Sequence, residues 1–419
     1  MIKYFFSSII LLIASLSLPA QTTKTGVLVI GNTAASVAAS LQSARSGAKT
    51  ILLTQTPAIS ADLSQDDITY LQKIQNHYKA KLKRKPGTKD STVALDLNMT
   101  KDQYLRLIKS ISDTTKNLTL TLNTALEKIE KDGKGWEVKL KNGQKIKAEV
   151  VVDATENLFI ASILRIDATK TMGNSVAVNS PFDAKLYRST VASAYSGANA
   201  SRSETPISIG AFLPAGVENF IIVPKSTSAV KLVNMSAGQA AGTIASYCAF
   251  FKTTTKNINV RAVQTELLTF DAQLIPLADV PVDDPHFLAF QRMALSGLLK
   301  PVVSKEGDKN VIKFDTTSTI SSEQLRIPVK EFYSRSQIWF ADNKKEVMTI
   351  EDAISLFMFT ATRGEELKKE IEEGWKESFQ FQSKFDLKRH ITRKEFAILA
   401  DRYLQPFNIR VDFAGNLLS

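Results

Sequence analysis

Cysteine is almost absent from this chain of 419 residues, where Cys248 stands alone. No internal disulfide can form, and a zinc site built on paired cysteines is excluded. Histidine is nearly as scarce: His77, His286 and His390 lie far apart in sequence, which argues against a multi-histidine metal site. Long apolar runs are missing too, so the chain is not a polytopic membrane protein. What remains is an ordinary globular balance, 44% hydrophobic and 23% charged. The length predicts two or three domains with ample core. Fifty-three lysines and arginines against 42 acids leave a formal charge of +11. The basic residues are scattered, and the densest run, Lys79 to Lys85, is short. The excess reads as solubility and weak attraction to anionic surfaces, with no nucleic acid expected as a partner.

The first twenty residues have the layout of a secretory signal peptide. Lys3 gives a positive start, Tyr4 to Leu18 is apolar but broken by serines, and Pro19-Ala20 ends in a small residue. A cut after Ala20 predicts an exported protein, periplasmic or extracellular, with no stable membrane span after cleavage. An uncleaved N-terminal anchor is the alternative, and a lone cysteine fits export either way.

Residues 26–30, Gly-Val-Leu-Val-Ile, are a continuous run rich in β-branched residues and read as a strand buried on both faces. Gly31-Asn-Thr-Ala-Ala-Ser36 follows as a turn, Val37 to Ser46 as a helix stopped by Gly47, and Ala48 to Leu53 as a second strand. Strand, tight turn, small-residue helix and strand within about thirty residues form the βαβ unit of a dinucleotide-binding domain. Its phosphate chemistry rests on three glycines. Only Gly31 is present; Thr33 and Ser36 hold the second and third places. A side chain at 33 intrudes where phosphate oxygens belong. The acid expected at the end of the second strand is replaced by Thr54, which offers one hydroxyl instead of a two-oxygen clasp.

Two later segments sharpen this pattern. Ile146-Lys-Ala-Glu-Val-Val-Val-Asp-Ala-Thr-Glu156 resembles the strand that ends in an Asp-Ala-Thr-Gly turn in flavoproteins with two dinucleotide-binding domains. Val233 to Ser246 carries Gly238-Gln-Ala-Ala-Gly242 and resembles their last flavin-contacting helix. Asn98 to Ile108 resembles the helix before the small strands, and Asp279 to Ala294 the segment after the flavin domain. Over residues 24–300 the chain resembles the bacterial exported FAD-dependent oxidoreductases. The resemblance implies an α/β fold: a discontinuous Rossmann-like FAD/NAD(P)-binding domain with a β-rich insert, then a C-terminal helical domain. The expected divisions are 21–165 with 223–255 for the Rossmann-like domain, 166–222 for the substrate or cap region, 256–314 for a connecting helical segment and 315–419 for the helical domain. It also implies FAD as cofactor. Gly31, Asn32, Thr33, Ala35 and Ser36 would face the pyrophosphate and Thr54 the adenosine ribose. Asp153, Ala154 and Thr155 would line the flavin's phosphate side. Gly238 and Gln239 would open a helix whose N-terminal amides point at the flavin.

The departures from that family coincide with its cofactor contacts. Glycine is lost at 33, 36 and 156, acid at 54, and the usual Ala-Gly-Arg reads Val223-Pro-Lys225. Glu156 brings a negative charge towards an anionic cofactor. Two functions follow from the same residues. One is an exported FAD-dependent oxidoreductase, transferring hydride through flavin to a small-molecule or saccharide substrate. The other is a degenerate flavoprotein without tight FAD, acting as a binding or scaffold protein at the cell surface.

Elsewhere, Trp136 to Lys141 and Gln144 to Val150 alternate apolar and polar residues around Asn142-Gly143, a hairpin signal. Residues 165–222 read as a reduced β-rich substrate region, where Tyr187, Arg188, Tyr195 and Arg202 are expected on the surface. Beyond residue 315 the pattern turns helical. Thr349 and Thr392 each precede an apolar-periodic run with a carboxylate in the first turn. Ile391 to Leu404 and Trp339 to Asp342 resemble surface-layer-homology modules, which implies carbohydrate binding. Residues 365–376 read as a solvated helix face of mixed charge. No catalytic pair stands out.

Overall fold

The computed structural model describes residues 22–60, 63–82, 99–173, 183–196, 203–225, 230–232, 234–307 and 309–418. The expected signal peptide, the run from Ser175 to Val178, Arg202 and the side chains of Tyr195 and of Lys79 to Lys85 lie outside what is described.

In chain order, β1 (Thr22–Ile30), α1 (Ala34–Arg45) and β2 (Thr50–Leu53) come first, followed by α2 (Gln65–Leu82) and α3 (Lys101–Thr114). Next come β3 (Leu118–Thr121), β4 (Leu126–Asp132), β5 (Gly135–Leu140), β6 (Lys145–Asp153) and α4 (Phe159–Ile163). Then follow α5 (Ala184–Ser189), β7 (Thr190–Ser196), β8 (Ser203–Ser208), β9 (Phe220–Ile222), β10 (Val230–Leu232) and α6 (Asn234–Phe250). Last are α7 (Val260–Thr269), α8 (Phe287–Ser296), the hairpin β11 (Val302–Glu306) and β12 (Lys309–Lys313), α9 (Ser322–Phe332), α10 (Ser336–Asp342), α11 (Ile350–Ala361), α12 (Glu366–Glu377) and α13 (Arg393–Tyr403).

The main sheet runs β3-β2-β1-β6-β5-β4. β1 is its axis, with Val27–Ile30 parallel to Thr50–Leu53 on one side and to Val150–Asp153 on the other. Its apolar residues serve two cores. Val27 and Val29 join the larger one, Leu28 and Ile30 the smaller one on the opposite face. A strand buried on both faces needs such an unbroken run. β6 is long because it has two neighbours on its outer side. Lys145–Ala148 pair antiparallel with β5, while Val151–Asp153 pair parallel with β9. Asn142-Gly143 joins β5 to β6 as expected, with Gly143 at φ +86°. The fold is therefore α/β and Rossmann-like, with a β-meander insert and a helical C-terminal region. β9 is part of the main sheet, although it falls inside the 166–222 segment assigned to the cap. β10 completes a separate sheet of order β10-β7-β8.

The C-terminal helices carry a threefold repeat. Ser321, Thr349 and Thr392 are N-caps of α9, α11 and α13, each with a reciprocal capping box to Gln324, Asp352 and Glu395. The three caps meet. Met348 N–H donates to Ile320 O, Ile391 N–H to Met348 O and Arg393 N–H to Ser318 O, at 2.8, 3.0 and 2.8 Å. The sequence reading found the second and third units and missed the first, whose third residue is a glutamine rather than an acid. α12 is more than a solvated face, because Leu367, Ile371 and Trp375 are buried. Among the described residues, no helix is long and apolar enough to cross a membrane.

Candidate functional site: a crevice at the ends of β1, β6 and β9

β1 turns into α1 where β6 turns towards α4, so the two loops face each other across the carboxyl ends of the strands. Open α/β sheets hold ligands at such a place. A cavity of 740 Å³ lies there. Of the expected site residues, Asn32, Thr33, Ala35, Ala154 and Thr155 line it. Lys101, Glu156 and Lys225 add charge to its wall.

Gly31 stands behind this wall at φ +150°, and a β-carbon on it would come within 2.4 Å of the Ala154 carbonyl oxygen. Its conformational freedom serves this close approach of two loops. Thr33 is the N-cap of α1. Its hydroxyl accepts from Ser36 N–H at 3.1 Å and donates to Ala154 O at 3.0 Å. The hydroxyl of Ser36, fully buried, donates to Thr33 O at 2.7 Å. Each side chain bonds the other residue's backbone, and Thr33 alone reaches the opposite loop. The amide of Ser36 is thereby already satisfied.

Asn32 turns sideways, its side-chain amide donating to Thr56 Oγ1 at 3.1 Å. Thr54 is fully buried. Its hydroxyl donates to Thr56 O at 2.7 Å and accepts from Asn123 N–H at 3.2 Å. The ribose contact expected of Thr54 is corrected by this burial, since both hydrogen-bonding roles are filled by the chain. Asp153 is buried as well. It accepts from Thr155 N–H at 3.1 Å, Thr155 Oγ1 at 2.6 Å and Ala161 N–H at 2.8 Å. Burial raises its carboxyl above the usual range against the pull of these donors. Asp153 thus braces the turn into α4 and does not line the crevice.

The second family motif is also displaced. α6 begins at Asn234, so Gly238 and Gln239 stand in its second turn and do not open it. A β-carbon on Gly238 would meet Ala35 O at 2.2 Å, and one on Gly242 would meet Ala39 O at 2.3 Å. The motif's glycines let α1 and α6 touch backbone to backbone. Gln239 is buried and donates to Gln42 Oε1 of α1 at 3.1 Å. The opening turn of α6 meets the carboxylate of Asp67 from α2. Met235 N–H donates to Asp67 Oδ1 at 2.8 Å, while Ser64 N–H and Oγ donate to its other oxygen at 2.9 and 2.8 Å. A carboxylate there answers the helix dipole, as an anionic ligand would. Sequence reading missed Asp67, although Ser64-Gln-Asp-Asp67 is a capping-box pattern at the start of α2, with Ser64 N–H donating to Asp67 Oδ2 and Asp67 N–H to Ser64 Oγ. Lys101 was within reach, as the first residue of α3 after the Thr100–Gln103 capping box.

The first turn and the ribose position are thus occupied by this chain's own hydroxyls, and the N-terminus of α6 by its own carboxylate. FAD gripped at those points does not fit these residues as they are held. Among the described residues, no group of three His, Cys, Asp or Glu side chains is placed to hold a metal ion.

No curated protein matches the chain. Among solved structures, it is similar to a mutant of PqsL from P. aeruginosa at 12% identity and a TM-score of 0.31, over 65% of this chain and 97% of that one. It is similar to the bacillithiol disulfide reductase Bdr (YpdA) from Staphylococcus aureus at 11% identity and a TM-score of 0.22, over 32% of this chain. The Bacillus cereus reductase of that name gives 17% identity and a TM-score of 0.23, also over 32% of this chain. The chain spans only 38% and 40% of the lengths of these two reductases. Residues 26–167, which run from within β1 through β6 and α4 and include the wall of the crevice formed by both loops, match the family model described as FAD dependent oxidoreductase.

Proposed function

We propose that this protein keeps the domain of an FAD-dependent oxidoreductase but not a tight grip on FAD, and that it is an exported binding protein working through the crevice. The observation that carries this reading is Thr33, whose hydroxyl closes the first turn by bonding Ser36 N–H and Ala154 O. Thr54 and Asp67, each satisfied within the chain, support it. The ligand is a small polar molecule carrying negative charge, because Lys101 and Lys225 outnumber Glu156 on the crevice wall. The test is an absorbance spectrum of the purified protein after incubation with FAD and desalting. A spectrum without visible flavin bands is expected. Stoichiometric, redox-active flavin that stays with the protein would overturn the proposal.

The second reading, a flavin-charged oxidoreductase passing hydride to a substrate, draws on the family match over residues 26–167. It requires the Thr33 hydroxyl to release Ser36 N–H when FAD enters. The same spectrum separates the two, and retained flavin would send the work to substrate screening with an electron acceptor.

A further inference from the structure

A second, smaller cavity of 150 Å³ lies beside the first two turns of α6 and shares no lining residue with the crevice. α1 contributes Arg45 to its wall, α2 Lys73, α6 Ser236 and Gln239, and the turn after α7 Phe270 and Asp271. The Arg45 guanidinium lies over the Phe270 ring, 4.5 Å from its centroid, a contact that holds one cation at the wall. Lys73 is half-buried. Burial lowers its pKa from the ordinary value, and the charge of Asp271 opposes that shift. Among the described residues, neither Arg45 nor Lys73 is held in an ion pair. Two cations and one acid leave the wall with one positive charge in excess. Gln239 is only 4% exposed. Its Nε2 donates to Gln42 Oε1 at 3.1 Å, which leaves its own Oε1 to accept a hydrogen bond. Ser236 Oγ accepts from Ser193 N–H at 3.5 Å, which leaves its proton to donate.

Size, charge and hydrogen-bonding pattern together define what such a cavity takes. A space of about 150 Å³ holds a molecule the size of benzene, about six non-hydrogen atoms. A planar guanidinium beside an ammonium group matches a carboxylate. One excess positive charge balances a monoanion, whereas a doubly charged phosphate would exceed it and meet Asp271. The buried Gln239 oxygen calls for a donor on the ligand, which a hydroxyl supplies and a ketone does not. Ile74 and Phe270 give apolar wall for a short carbon chain. We propose that this cavity binds a small 2-hydroxy monocarboxylate of the size of lactate, its carboxylate on Arg45 and Lys73 and its hydroxyl on Gln239.

Isothermal titration calorimetry of the full chain with D-lactate and L-lactate tests this. At least one enantiomer should bind, at one site per chain, with millimolar affinity or tighter. R45Q and K73Q change side chains on two different helices, neither of them fully buried, and each should weaken binding about ten-fold or more. Lactamide, which lacks the charge, should not bind, and propionate, which lacks the hydroxyl, should bind several-fold more weakly. Absence of binding by both enantiomers would overturn the proposal. So would affinity that survives R45Q and K73Q alike, since the anion would then lie elsewhere, for instance in the crevice. Lactamide or propionate binding as tightly as lactate would overturn it too, and that comparison uses only the unsubstituted chain.

Discussion

Thr33 shows how one side chain can serve two loops at once. Its hydroxyl caps α1 and ties the first loop to Ala154, so T33A should lower stability by about 1 kcal/mol, read from urea unfolding. Restoring the glycines tests the same geometry in the other direction. T33G/S36G frees the backbone N–H at position 36 and should retain more FAD after desalting than the unsubstituted chain. No gain would mean that the cradle is blocked elsewhere, with Thr54 and Asp67 the next residues to change. Cys248 is the other residue whose environment sets its chemistry. Burial pushes its thiol up to about 12 from an ordinary 9.0. At pH near 8 it should resist thiol reagents until urea unfolds the chain. The proton is held more tightly in the folded state. The thiol's contribution to stability is therefore complete below pH 9, and it is lost as pH rises towards 12.

At the scale of elements, local signals and long-range contacts divide the work. β1, the β5–β6 hairpin and the caps at Thr349 and Thr392 were legible because each depends on residues within a few positions. The repeat at Ser321 hid behind Gln324 in place of an acid and behind Pro328 inside the helix that follows. What the sequence could not display was the target of each motif. Gly238 and Gln239 look like flavin contacts by resemblance, yet they meet Ala35 and Gln42. Thr54 looks like a ribose ligand until its strand packs and buries it. Such assignments depend on residues far away in the chain, and no local pattern carries them. The helix contact makes its own prediction. G238V places a branched side chain against the backbone of α1, where a single β-carbon already lies 2.2 Å from Ala35 O. Overpacking of this kind costs about 1–3 kcal/mol, more when backbone blocks relaxation. The substitution should lower the unfolding midpoint well below that of G47A, whose site is open although its φ of +91° adds some strain.

The larger of the two cores runs from the sheet domain into the C-terminal helices, which sets how these parts depend on each other. The larger cluster runs from Val27 in β1 through Ile244 in α6 and Phe290 in α8 to Phe357 and Phe396 in the threefold repeat. Polar ties cross the same seam. Arg188, buried in α5, pairs with Glu331 of α9 and donates to Ser296 O at 2.8 Å. Arg393 of α13 is buried against the Phe314 ring and donates to Phe314 O at 3.0 Å and Lys300 O at 2.7 Å. Burial lowers the Arg393 pKa from its usual value, and the carbonyls it meets come from the segment between the sheet domain and the repeats. Cutting the chain there would strand these guanidinium groups and uncover apolar surface on both sides. The sheet domain and the helical repeats should therefore unfold together, as one calorimetric transition whose van't Hoff and calorimetric enthalpies agree. Removing residues 315–419 should leave an N-terminal part that aggregates or stays expanded, with far-UV signal but no sharp melting. Two separate transitions, or a truncated chain that melts cooperatively, would show instead that the repeats are an appended module. A binding function would then have to be sought in each part independently.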